Sequence, residues 1–289
     1  MIYLQSAVNG LGIGSLYALV GLAAMFVLRV TGIVNFAVGA IVVLGGLFSS
    51  SLAGIPPVAV LVLTALVGVP VGVAVHFMST RWLRGRSQFA GVLVTVAMAS
   101  ALQGLAYLLY SSDLRYAPQI FAPRSFQLSS SLTVDNGTLL LVAAVVVGYL
   151  ACWLVLDHTT LGSALRAVSD DPVAARLVGL RVRRIEITAY AVLGALTFFV
   201  GNVYAQVDGV TADNVFPTLV GALFGLILGG SGNLLGPLIG GFLVGMAQSV
   251  TNARLSDFWG TVVDLLLVVV VLAAVPGGIV ADRRQRSVA

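Results

Sequence analysis

Nine apolar runs, each near the length needed to cross a lipid bilayer, constrain this chain more than any other feature. They cover about 7–28, 33–52, 57–80, 88–110, 138–156, 187–207, 214–229, 234–252 and 259–280. A hydrocarbon core of ~30 Å takes roughly 20 helical residues to cross. Lipid offers no partner to the N–H and C=O groups of an open strand edge, and the sequence lacks the ten-residue alternating segments of a membrane barrel. The expected fold is all-α: a polytopic transmembrane helical bundle of about 8–9 spans, one membrane domain over residues 1–289. Only 9% of the residues are charged and 59% are hydrophobic, against about 25% charged in soluble domains. That excludes a soluble enzyme, a nucleic-acid binder and a disordered chain. No basic segment precedes the first run, so it reads as a retained span and not a cleaved signal. The shortest and most polar runs are open to being broken or re-entrant.

All 15 basic residues are arginine, and lysine is absent. With nine spans and the tail 281–289 on the cytoplasmic side, the inner segments hold Arg29, Arg81, Arg84, Arg86, Arg166, Arg176, Arg181, Arg183, Arg184, Arg283, Arg284 and Arg286. The outer segments hold Arg115, Arg124 and Arg254. Twelve against three is the positive-inside pattern, and it predicts an outer N-terminus and an inner C-terminus. It also accounts for the net charge of +4 without nucleic acid. Cys152 is the single cysteine and lies in an apolar run, which leaves no disulfide framework and no thiolate metal site. His76 and His158 lack metal-ligand spacing and read as interfacial residues.

Two aqueous segments exceed a simple turn: an outer loop, 111–137, and an inner loop, 157–186. In the second, Asp171-Pro172 is a helix start, because a carboxylate accepts orphan N–H groups and proline fits the first helical position. Gly179 is a helix stop. A helix of about two turns, 172–178, is predicted, with Val173, Ala174, Leu177 and Val178 as its apolar stripe and Arg176 beside it. Such a helix is either a surface connector or a docking element for a protein groove or the lipid interface.

Ala174-Ala175-x-x-x-Gly179 resembles the centre of the loop by which bacterial ATP-binding cassette importer permeases dock on their ATPases; Val173 stands where Glu is usual. The wider pattern resembles the branched-chain amino acid permease family of LivH type. It runs Tyr17-Ala18-Leu19, Thr31-Gly32, Asn35-Phe36-Ala37-x-Gly39, then Thr160-x-Gly162-x-Ala164-x-Arg166-Ala167 through Asp170 or Asp171 to Gly179-Leu180. Gly229-Gly230-Ser231-Gly232, Gly236-x-x-x-Gly240-Gly241 and Pro276-x-Gly278-Ile279 complete it, and together these cover most of the chain in order. Val38, Ala40 and Gln248 depart from residues common in that family. The resemblance implies a permease subunit of an importer in the bacterial cytoplasmic membrane, without catalytic residues of its own. Its cargo would be branched-chain or other hydrophobic amino acids. Its partners would be two ATPase subunits, a second and related permease chain, an extracytoplasmic substrate-binding protein and membrane lipid. Arg166, Asp170, Asp171, Pro172, Ala174, Ala175, Arg176, Leu177 and Gly179 would couple it to the ATPase, with Arg181 at the flank.

A P-loop needs a lysine to reach the β- and γ-phosphates. A chain without lysine has no such loop, so it is expected to bind no cofactor and to leave ATP to its partners. Uncharged polar residues within runs are candidates for the translocation path: Asn35, Phe36 after the polar break at 29–32, Thr95, Gln103, Asn202 and Gln248, with Gln206 and Asn252 beside them. For each, the alternative is a hydrogen bond between helices. Gly221, Gly225 and Gly229, then Gly232, Gly236 and Gly240, are spaced for close helix packing or for a sliding seam. Acids cluster at run ends, with Asp264 alone inside one, which weighs against an ion-coupled secondary transporter. No Ser/His/Asp or His/Glu grouping supports an intramembrane enzyme. An importer for urea or short-chain amides stays open.

Overall fold

The structure, a computed structural model, describes residues 2–83, 88–122, 124–129, 132–230, 232–253, 257–274 and 279. Arg84, Arg86, Arg254, Pro276, Gly278 and the arginines at 283, 284 and 286 lie outside the described residues, and nothing is said of the Arg81 and Asp264 side chains. The long helices are α1 (Ile2–Thr31), α3 (Pro57–Leu83), α4 (Gln88–Tyr110), α5 (Asn136–His158) and α8 (Val182–Val207). Shorter ones are α2 (Val38–Ser50), α6 (Thr160–Asp170), α7 (Pro172–Leu177), α9 (Val215–Gly229), α10 (Leu235–Asn252) and α11 (Asp257–Ala274).

Among the described residues every apolar run coincides with a helix, but the helices differ in length and apolarity. Among the described residues six segments are long and apolar enough to cross a membrane, within α1, α3, α4, α5, α8 and residues 212–229. That is fewer than the eight or nine expected. The run 33–52 yields only 13 helical residues, about 20 Å of rise. Gly32 turns with a φ of +69°, and the backbone stays irregular to Ala37, so Ile33, Val34, Phe36 and Ala37 extend the run without extending the helix. In α10, the glycines and Gln248, Ser249, Thr251 and Asn252 dilute the apolar character. The outer loop holds an element the sequence reading did not foresee. Strands β1 (Ser125–Ser129) and β2 (Leu132–Asp135) pair antiparallel, Phe126 opposite Val134, immediately before α5.

The chain forms two compact units. One comprises the described residues of 1–22, 119–146 and 220–289; the other comprises 23–118 and 147–219. In the first, glycines let backbones touch. A Cβ on Gly241 would strike Ala18, and one on Gly245 would strike Gly14, which brings α1 against α10. Gly225 faces Gly241, and Gly229 faces Gly236, which does the same for α9 and α10. In the second, α8 is the centre. Gly68 and Gly72 of α3 meet Gly194 and Tyr190, and Gly45 and Gly46 of α2 meet Phe198 and Gly201. Van der Waals contact of this kind is what associates helices where lipid tails are as apolar as leucine.

Elsewhere the helices show apolar side chains outward. Val62, Leu66 and Val69 of α3, Leu105, Leu108 and Leu109 of α4, and Val146, Val147, Leu150 and Leu154 of α5 are all exposed. In water such continuous surfaces drive aggregation. In a bilayer they are the required surface.

Candidate functional site

The segment between α5 and α8 is built from local signals. Thr159 caps α6 by accepting from the Gly162 N–H. Gly162 has no room for a Cβ against the Leu156 carbonyl, and Leu165 and Val168 are the buried face. Leu165 and Arg166 share the lining of a small cavity with Met25, Phe26 and Arg29, which seats α6 on the end of α1. Arg166 donates to the Leu156 carbonyl and pairs with Asp157 at 3.0 Å. Both partners are half exposed, so water screens the pair.

Asp171 ends α6 and starts α7. Its Oδ1 accepts from the Val173 and Ala174 N–H groups at 2.8 and 3.0 Å, and Pro172 occupies the position where no N–H is needed. At the other end the Gly179 N–H donates to Arg176 O and the Leu180 N–H to Ala175 O, each at 3.0 Å. Gly179 has a φ of +86°. This is a Schellman motif, and it closes the helix one residue short of the predicted end. Ala175 is the buried contact. Val173, Leu177 and Val178 are 62%, 84% and 77% exposed, an apolar face left uncovered among the described residues. Ala174, Asp170 and Arg176 are exposed too, and neither charged group forms an ion pair among the described residues.

The polar residues within runs divide into separate groups. At the contact of α3 and α8, Asn202 donates to Thr64 Oγ1 at 3.1 Å and accepts from Gln206 at 2.6 Å. All three are buried, so their polarity is consumed between helices. Thr95 donates to Val92 O of its own helix. Gln103 donates to the Ala212 carbonyl at 3.0 Å, and Tyr107 donates to Asp213, which fastens α4 to the turn before α9. Asn35 and the half-buried Phe36 lie in the break before α2. Asn35 Oδ1 accepts from the Ala37 N–H at 2.9 Å, while Nδ2 has no hydrogen-bond partner among the described residues. Gln248 belongs to the other unit, where its Oε1 accepts from the Tyr17 hydroxyl at 2.8 Å.

Of the six glycines singled out for spacing, Gly221 packs on the Tyr17 ring, and Gly225, Gly229, Gly236 and Gly240 face one another across α9 and α10. Gly232 lies in the connection between those helices. The same four-residue spacing at Gly10 and Gly14, Gly68 and Gly72, and Gly241 and Gly245 marks further close contacts that the sequence reading passed over.

The profile of the family described as branched-chain amino acid transport system, permease component, matches residues 6–275. The chain is similar to the high-affinity branched-chain amino acid transport system permease protein LivH of Escherichia coli K12, with 27% identity over 96% of this chain and 95% of that one. It is similar to BraD of Pseudomonas aeruginosa, a permease protein of the same description, with 26% identity over 96% and 95%. The fructose import permease protein FrcC of Rhizobium meliloti is 26% identical over 90% of this chain and 74% of its own length.

Proposed function

The chain belongs to the family of branched-chain amino acid transport system permease components and is a transmembrane permease subunit of an ATP-binding cassette importer; we propose that its cargo is a branched-chain or other hydrophobic amino acid. The observation that carries the cargo is similarity along nearly the whole chain to two permeases described by that transport. As a member of this family it works in a multi-pass membrane complex with ATPase partners.

The finer composition is part of the same proposal. Two ATPase subunits bind the ATP, for which this lysine-free chain has no P-loop. The exposed face of α7 enters a groove on one of them, flanked by Arg166, Asp171 and Arg176. Closure of the ATPases moves α7 and switches the path between outward and inward access, a two-state element biased from both sides of the membrane. A related permease chain completes the path, and an extracytoplasmic binding protein delivers the cargo. The arginine-rich loop 157–186 faces the cytoplasm.

The test is an uptake panel in proteoliposomes containing the chain and its cognate partners. Radiolabelled leucine, isoleucine and valine are taken up, and urea, short amides and fructose are not. Uptake of fructose or urea in place of leucine contradicts the cargo while leaving the family intact.

A further inference from the structure

A helix leaves the N–H groups of its first turn without partners in its own ladder, and they carry the positive end of its dipole. Most helices cover that end with a side chain or with water. At the start of α2 the cap residue Ala37 makes no side-chain bond of its own, and Ala37, Val38 and Ala40 are all 0% exposed. The polar side chain that reaches this end is Asn35. Its Oδ1 is fixed by the Ala37 N–H at 2.9 Å, which holds the attached Nδ2 at the same helix end. Asn35 is 1% exposed, and that Nδ2 has no hydrogen-bond partner among the described residues. Buried amide donors without partners are rare.

We propose that the start of α2 together with Asn35 Nδ2 binds the carboxylate of the transported solute. The assignment rests on the reading that the cargo is an amino acid. The group left over here, Asn35 Nδ2, is a donor, as are the N–H groups of a helix's first turn. A carboxylate only accepts, through two oxygens, and helix N-termini suit anions. The low dielectric of the surroundings strengthens such charge-assisted bonds, which offsets the cost of drying the carboxylate. Capping alone does not account for Asn35, because the cap uses Oδ1 and leaves Nδ2 over. The short, late start of α2 then has a purpose. It sets a helix end inside an apolar run in place of a continuous span.

The test is leucine uptake by the importer assembled with its partners in proteoliposomes. Asn35→Asp keeps the oxygen on the Ala37 N–H, removes the Nδ2 donor and sets a negative charge beside the site. Leucine uptake falls by about tenfold or more, while assembly with the partners and ATP hydrolysis persist. Uptake equal to the unaltered chain overturns the proposal and leaves Asn35 as a cap. Should the Asp variant fail to assemble, Asn35→Ser retains a capping oxygen but ends short of the Nδ2 position, and the same loss is expected. An unaltered importer that carries only uncharged solutes overturns the amino-acid reading and this site with it, a result distinct from a normal Asp variant.

Discussion

Gly68, Gly72 and Gly194 place the backbones of α3 and α8 in contact, and a Cβ on Gly68 would fall on the Gly194 carbonyl. A side chain there has to push a helix away, and with it the buried Thr64–Asn202–Gln206 chain that crosses the same contact. Overpacking of this kind costs about 1–3 kcal/mol. Gly68→Leu therefore lowers the unfolding midpoint in detergent. Gly104→Leu, on α4 where nothing lies within 4 Å of the added carbon, leaves it within error. Equal midpoints for the two would remove the packing role. These contacts were readable in part. The four-residue spacing of glycines is visible in the sequence, but the partner of each glycine depends on which helices fold together, and no local signal carries that. The state of Asn35 was less legible still. A polar residue after a break is visible, whereas an amide with one end used and the other left over appears only in the fold.

At the scale of elements, α7 shows what local chemistry alone can specify. Asp171, Pro172 and Gly179 act within a few residues of themselves, and the helix lies where they bracket it. Losing the Asp171 cap costs about 0.5–2 kcal/mol, enough to fray six residues. In the coupling account, Asp171→Ala lowers leucine uptake per ATP hydrolysed, and Asp171→Asn, which retains a capping oxygen, stays near the unaltered value. An Ala variant that couples normally would deny α7 its role. Apolar runs located the other helices for the same local reason: twenty apolar residues have one stable form in lipid. Apolarity located α2 but failed to mark its start, because Ile33, Val34, Phe36 and Ala37 are as apolar as the helix that follows, so only the turn at Gly32 separates run from helix. It failed at β1 and β2 because strands of five and four residues are too short for their alternation to register.

For the whole molecule, the absence of lysine and the scarcity of acids inside the runs carry one consequence. A chain without the P-loop lysine is proposed to receive the energy for transport through its ATPase partners. This expectation is legible in sequence alone, since it depends on which residues are missing and not on where the others fold. The direct measurement is radiolabelled leucine uptake into proteoliposomes of the assembled importer, with and without ATP on the α7 side, and with proton and sodium gradients collapsed by ionophores. Uptake that requires ATP and survives the ionophores is the expected result; uptake that ignores ATP and vanishes with the gradients would contradict it.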